Sequence, residues 1–197
     1  DPGRRRNVEE VVKAATRATA LTRQLLAFSR QEVPEITVLN ANDVVTDLLD
    51  MLRRLIGEHM TLTTNLAADL DSIRTDRGHL EQVVVNLVVN ARDAMPKGGG
   101  IRIVTADLHL DSGLDARGSQ IRAGVYVTFS VADTGVGMSD DVRAQLFKPF
   151  FTTKDRGKGT GLGLAPVHGI LTGAPVYIAI ESELGKGCIF RVYLHRV

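Results

Sequence analysis

Two asparagines, Asn86 and Asn90, sit four residues apart inside the aliphatic run DRGHLEQVVVNLVVNARDAM, from Asp76 to Met95. Leu80, Val83, Val84, Leu87, Val88 and Ala91 recur there at three- and four-residue steps, which predicts a helix with one core-facing stripe. The four-residue step puts both carboxamides on one face, a turn apart. Asparagine competes with the backbone for hydrogen bonds inside a helix, so two of them in a Val/Leu helix need a reason. Either they are satisfied amides at the edge of a core, or their oxygens help hold a hydrated Mg²⁺ that bridges phosphates. Mg²⁺ keeps several waters and takes few protein ligands, so one amide oxygen plus phosphates makes an adequate shell.

Two glycine clusters follow. Asp133 to Met138 reads DTGVGM and Gly159 to Leu164 reads GTGLGL, with PFFTTK between them. Such clusters occur where backbone passes close to a ligand, because a Cβ would clash and φ must be free to turn positive. Asp133 heads the first cluster as a directional acceptor. It suits an exocyclic amine such as that of adenine, or its own backbone in a loop turn. The chain has no GxxxxGK[ST], and Leu164 in the sixth position of GTGLGL excludes the dinucleotide fingerprint.

Patterning predicts strands near Glu35–Leu39, Thr61–Leu66, Ile101–Ala106, Val125–Ala132, Val176–Glu181 and Ile189–Leu194. Helices are predicted near Ala41–Glu58, Asp76–Met95, Asp140–Leu146 and Leu162–Thr172, and Ser112–Gly124 reads as a polar loop. Short strands with helices interspersed suggest a two-layer α/β sandwich, a mixed sheet with helices on one face. Ahead of it, Arg4 to Gln31 contains no Gly or Pro, and Val8, Val11, Val12, Ala15, Ala18, Leu21, Leu25 and Phe28 form one stripe. That helix needs an apolar partner, either another helix or its own domain. Arg4-Arg5-Arg6 is the solvated start of the helix or a basic patch, and Glu32-Val33-Pro34 reads as a linker.

DRGHLEQVVVNLVVNARDAMPKGG, DTGVGM, LFKPFFTTK and GTGLGLA resemble the N box, first glycine box, F box and second glycine box of bacterial sensor histidine kinases, in that order. Gly185-Lys186-Gly187 followed by Phe190 resembles the closing glycine turn. The resemblance covers the chain from about Arg17 onward. It implies the Bergerat-type fold for residues 34–197 and, for residues 1–33, the second helix of a dimerisation and histidine-phosphotransfer hairpin plus linker. It further implies ATP and Mg²⁺ as cofactors, with Asp133 on the adenine amine, Gly135 and Gly137 beside the base, and Asn90 as the metal ligand. Asn86 would orient phosphate or nucleophile, Phe147, Phe150 and Phe151 would latch the lid, and Lys154, Arg156 and Lys158 would meet phosphate oxygens. Thr160, Gly161, Leu162 and Gly163 would open a helix whose amides face the phosphates.

The wider superfamily, with Hsp90, MutL and type II topoisomerase ATPases, usually has a water-activating Glu where this chain has Asn86. An amide is no general base at neutral pH, which points to phosphoryl transfer onto a side chain. The family's acceptor is a His followed by Glu or Asp, whereas His59, His79, His109, His168 and His195 precede Met, Leu, Leu, Gly and Arg. The expected reading is a histidine kinase catalytic domain whose acceptor His lies outside this chain. The alternatives are a non-catalytic nucleotide-binding regulatory module or an ATP hydrolase of the superfamily. Expected partners are the hairpin carrying the acceptor, a response-regulator receiver domain and, in the full-length protein, a second copy of the kinase. Lys148 stands where the family commonly has an acid, and Asp93 where some relatives are basic.

Composition agrees with that reading. The 197 residues, 44% of them hydrophobic, suffice for one α/β domain and a smaller appendage. With 24 basic and 23 acidic residues, no global field favours nucleic acid or an anionic membrane. A single Cys188 rules out an internal disulfide and fits a reducing, cytoplasmic setting. No apolar run approaches the roughly 20 residues that cross a bilayer, so no membrane contact is expected. The opening Asp1-Pro2 reads as a fragment of something longer.

Overall fold

Asn40 and Asp76 open the two long helices, and each does so with its own side chain. The computed structural model describes residues 34–115, 120–148, 151–152, 164, 167 and 176–197. Helix α1 (Ala41–Ile56) starts where Asn40 Oδ1 accepts the Asn42 N–H at 2.8 Å. It ends at Gly57, whose φ of 84° turns the chain out of the helix two residues before the end expected from sequence. Helix α2 (Arg77–Asp93) starts where Asp76 Oδ1 accepts the His79 N–H at 2.8 Å. Asp76 is therefore the cap and not the first helical residue, and Ala94 closes the other end. Its stripe is buried as the spacing requires: Leu80, Val83, Val84, Leu87, Val88 and Ala91 all lie in the core.

The central sheet has five strands: β2 (Met60–Asn65), β4 (Gly99–Leu110), β7 (Gly124–Asp133), β8 (Val176–Glu183) and β9 (Gly187–His195). Their order is β2-β4-β7-β9-β8, parallel between β2 and β4 and antiparallel elsewhere. A parallel pair needs a crossover, and α2 lies on that connection. Residues alternate across the sheet. Ile101, Ile103, Val127, Phe129, Val131, Ile178, Ile180, Phe190, Val192 and Leu194 face the helices and share one core with them. Leu164 and Val167 are buried in the same core; the rest of the helix expected at Leu162–Thr172 lies outside the described residues. The result is the two-layer mixed-sheet sandwich expected from the sequence. The helix expected over Arg4–Gln31 lies outside the described residues.

Four elements differ from the sequence reading. β1 (Ile36–Leu39) pairs antiparallel with β3 (Ile73–Asp76), a four-residue polar strand that sequence alternation does not reveal. β4 runs past both expected ends because Gly99 and Gly100 pair with Met60 and Thr61, and Asp107–Leu110 pair with Gly124–Val127. The expected polar loop holds a short hairpin, β5 (Leu114–Asp115) with β6 (Gln120–Ile121). Helix α3 is only Asp140–Arg143, capped by Ser139, and turns follow it. Seating α1 on the sheet is a polar trio: Thr105 Oγ1 donates to Asn42 Oδ1 at 2.7 Å and accepts the Ala67 N–H at 3.0 Å, while Asn42 Nδ2 donates to the Ala67 carbonyl at 2.7 Å. Each buried polar group of the trio has a partner, so the burial is not penalised.

Candidate functional site

The cap at Asp76 and the stripe below it fix the rotation of α2, and so fix where its amides point. Asn86 is buried, at 7% exposure, and Asn90 is half-buried one turn on. The Asn90 Nδ2 atom is fully buried and has no hydrogen-bond partner among the described residues. Buried polar atoms are nearly always satisfied, so this amide stands out among the described residues. An Asn carboxamide offers one oxygen and one N–H₂, which fit a hydrated Mg²⁺ and an adjoining phosphate oxygen respectively.

Asp133 ends β7 on the helix-facing side of the sheet and is 9% exposed. Its Oδ1 accepts the Gly135 N–H at 2.8 Å, so it makes the loop turn weighed in the sequence reading. A carboxylate has about four lone-pair sites, and this turn takes one, leaving acceptor capacity for a ligand amine. Burial pushes the carboxyl above its ordinary range, against the opposing pull of the Gly135 and Cys188 backbone amides.

The loop after Asp133 is threaded between the end of α2 and the β8–β9 turn. Val136 N–H donates to the Ala94 carbonyl at 3.2 Å, and Gly185 N–H donates to the Val136 carbonyl at 2.8 Å. Thr134 N–H donates to the Gly100 carbonyl, and Gly100 N–H returns a bond to Thr134 Oγ1. A Cβ on Gly135 would lie 2.7 Å from the Ala94 carbonyl oxygen. One on Gly137, whose φ is 65°, would overlap the Glu183 carbonyl. The structure therefore sets Gly135 and Val136 against the end of α2, while Gly137 lies against the β8–β9 turn and Asp133 beside Cys188.

Two departures noted in the sequence have plain settings. Asp93 Oδ1 accepts from Arg92 Nε and Nη2 at 2.9 and 2.7 Å, while Arg92 Nη1 donates to the Leu55 carbonyl at the end of α1. Lys148 is exposed. Phe147, with Leu146 and Met138, packs on the core, and Phe151 is half-buried. Phe150, Lys154, Arg156, Lys158, Thr160, Gly161, Leu162 and Gly163 lie outside the described residues. Cys188 sits buried beside Asp133, its thiol pushed up to about 12 chiefly by burial, which makes it unreactive.

Sequence reading missed Ser182. Its Oγ accepts the Met138 N–H at 2.9 Å and donates to the Gly187 carbonyl at 2.9 Å, so it joins two segments 44 residues apart. Only the nearby glycine turn hinted at it. A groove of about 1150 Å³ on the other face of the sheet, lined by Thr63, Arg102, Arg191 and Tyr193, also touches Asp133, Met138, Ser182 and Cys188 but neither Asn86 nor Asn90.

Residues 75–197 match the family described as histidine kinase-, DNA gyrase B-, and HSP90-like ATPase. The sensor kinase CckA of Brucella abortus (strain 2308) is 43% identical over 191 residues, which is 97% of this chain and 20% of that protein. The chain thus spans about a fifth of that relative's length. Full-length ShkA, solved in complex with AMPPNP, superposes with a TM-score of 0.72 at 23% identity, over 94% of this chain and 37% of its own. Histidine kinase ThkA, solved in complex with the response regulator TrrA, superposes with a TM-score of 0.65 at 20% identity, over 94% and 49%. At such identities the two superpositions establish the fold.

Proposed function

Because this chain belongs to the histidine kinase-, DNA gyrase B- and HSP90-like ATPase family, we propose that it binds Mg·ATP and passes the γ-phosphoryl to a histidine, as the catalytic domain of a two-component sensor kinase. The observation that carries the reading is the joint between α2 and the glycine loop: the helix bearing Asn86 and Asn90 meets, through Ala94 and Val136, the loop headed by the buried Asp133. Asp133 accepts from the adenine amine while Gly135 and Gly137 let the backbone run beside the base. Asn90 offers Oδ1 to Mg²⁺ and Nδ2 to a phosphate oxygen, and Asn86 orients the phosphate or the incoming nucleophile. With Mg²⁺ held at Asn90, the charge on the phosphates would be partly neutralised. Lys154, Lys158, Thr160, Gly161, Leu162 and Gly163 complete the phosphate side, with Arg156 as a further cation.

In the transfer, the bond from the γ-phosphorus to the ADP oxygen breaks, a bond to the unprotonated imidazole nitrogen forms, and the proton on the other nitrogen passes to the acid that follows the acceptor His. Little covalent work falls to the protein, so positioning and charge neutralisation do most of it. Asn86 favours a side-chain acceptor over water, because an amide takes no proton at neutral pH. Identity with a sensor kinase over nearly the whole chain supports the same choice. None of the five histidines precedes an acid, so the acceptor comes from a hairpin outside these residues, with residues 1–33 as its second helix. A receiver domain then takes the phosphoryl group, the full-length kinase pairs with a second copy, and the domain works in the cytoplasm. Among the described residues no helix is long and apolar enough to cross a membrane.

Calorimetric titration with AMPPNP, with and without Mg²⁺, tests the site. One-site binding that Asp133→Ala abolishes, and whose Mg²⁺ dependence Asn90→Ala removes, is the expected result. Tight Mg²⁺-dependent binding by Asn90→Ala would sink the ligand assignment. Adding an acceptor hairpin tests the chemistry: labelled phosphate on its histidine supports the kinase. Binding without transfer favours a regulatory module, and phosphate release without an acceptor favours a hydrolase.

A further inference from the structure

On the helix-facing side of the sheet, Asp133, Cys188 and Ser182 form one transverse row, set by the register that pairs Asp133 with Cys188 and Ser182 with Cys188. The carboxylate at one end of the row heads the glycine loop. The hydroxyl at the other end holds the loop's far terminus, where it accepts from Met138 N–H and donates to the Gly187 carbonyl. Ser182 thus uses both functions of its hydroxyl on two different segments, and also lies against the Cys188 thiol. Between these anchors the backbone passes through Gly135 and Gly137, residues that lose more conformational freedom on ordering than any others. Met138 is also the point where the loop hands over to Ser139, the cap of α3, on the way to Phe147.

We propose that Ser182 is a positioning residue for the nucleotide base, acting through the Met138 amide on the loop that carries Asp133. The inference rests on the nucleotide reading of the site and extends it to base selectivity. Ser182 touches neither base nor phosphate. It fixes where the loop ends at Met138, and with it the room between the Asp133 carboxylate and the backbone at Gly135 and Gly137. Close backbone approach is guarded from the other side as well: a Cβ on Gly187 would overlap the Asp133 carbonyl. The β8–β9 turn therefore acts as a mould for the loop, and Ser182 is its fastening.

The test compares wild type, Ser182→Ala, Ser182→Thr and Asp133→Ala in calorimetric titrations with AMPPNP and with the guanine analogue GMPPNP, alongside thermal unfolding. Ser182→Ala is expected to weaken AMPPNP binding about tenfold and to narrow the preference for adenine over guanine. Ser182→Thr, which keeps the hydroxyl, is expected to recover most of both. Should the Ala variant fail to fold, Ser182→Cys keeps the volume with a far weaker acceptor and carries the same comparison. Wild-type binding that Asp133→Ala abolishes, with Ser182→Ala lowering only the melting temperature and leaving affinity and base preference intact, would overturn the proposal while the nucleotide site stands. No wild-type binding to either analogue would overturn both.

Discussion

The two faces of the central sheet are built by the same strands, yet they solve different problems. The helix-covered face is an aliphatic core laid down by α1, α2 and alternate residues of β4, β7, β8 and β9, with the polar row Asp133–Cys188–Ser182 at one end. The other face has no helix over it among the described residues. It closes locally: Tyr126 stands edge-on to Tyr177 and Tyr193 at ring separations of 6.0 and 6.1 Å, with Ile121 of the β5–β6 hairpin beside them. Its remaining surface carries ordinary half-exposed pairs such as Arg191 with Glu181 at 3.1 Å. The lesson is that burial deep enough to perturb a carboxylate needs the second layer. Only on the helix side can Asp133 be both covered and held by backbone amides.

Stability measurements can break or sharpen that contrast. The largest effect belongs to the helix side, where Leu87 is fully buried between α2 and the sheet. Leu87→Ala should cost about 2–5 kcal/mol in chemical denaturation, and a loss under 1 kcal/mol would mean that the layers are looser than drawn.

A smaller effect, of opposite sign, is expected at Asp133. Burial raises its pKa, so the folded state holds a proton that the unfolded state has released, and stability falls as pH rises from the ordinary carboxylate range through the raised value. Asp133→Asn keeps an acceptor for Gly135 N–H and removes that fall. The variant should melt higher than wild type at pH 7, with the gap closing towards pH 3, while nucleotide affinity drops. Equal pH profiles for the two proteins would contradict the burial argument.

The smallest change tests the open face. Tyr126 OH donates to the Arg122 carbonyl at 2.9 Å, and Tyr126→Phe should cost about 1 kcal/mol with nucleotide binding unaltered. A loss of binding there would show that the two faces are coupled.

How much of this was legible in the chain depended on range. α2 could be read because its stripe and its paired asparagines lie within about five turns of helix, although from pattern alone the cap at Asp76 reads as its first residue. The first glycine loop could be read as a place of close approach, and what boxes both glycines in is the protein's own backbone at Ala94 and Glu183. β3 could not, since four residues reading IRTD show no alternation worth the name and owe their conformation to β1. The β5–β6 hairpin hid in a glycine-rich stretch that reads as loop. Ser182 was invisible for a different reason: its meaning comes from Met138 and Gly187, one of them 44 residues away, and local pattern carries no such information. At Asp133 the sequence left two roles open; the turn bond to Gly135 shows the loop-turn role, and the adenine role belongs to the proposed function.

Asp76 does more than start a helix. While its Oδ1 caps α2, its Oδ2 accepts the Glu35 N–H at 2.8 Å, at the entry to β1. At the far end, the Ala94 carbonyl is engaged by the glycine loop and not by the next turn of helix. α2 is thus pinned at both ends to other segments, a strut about 25 Å long. Closely packed interiors have low compressibility, so such a strut carries load along its axis. One continuous helix therefore joins the entry to β1 with the glycine loop at Val136.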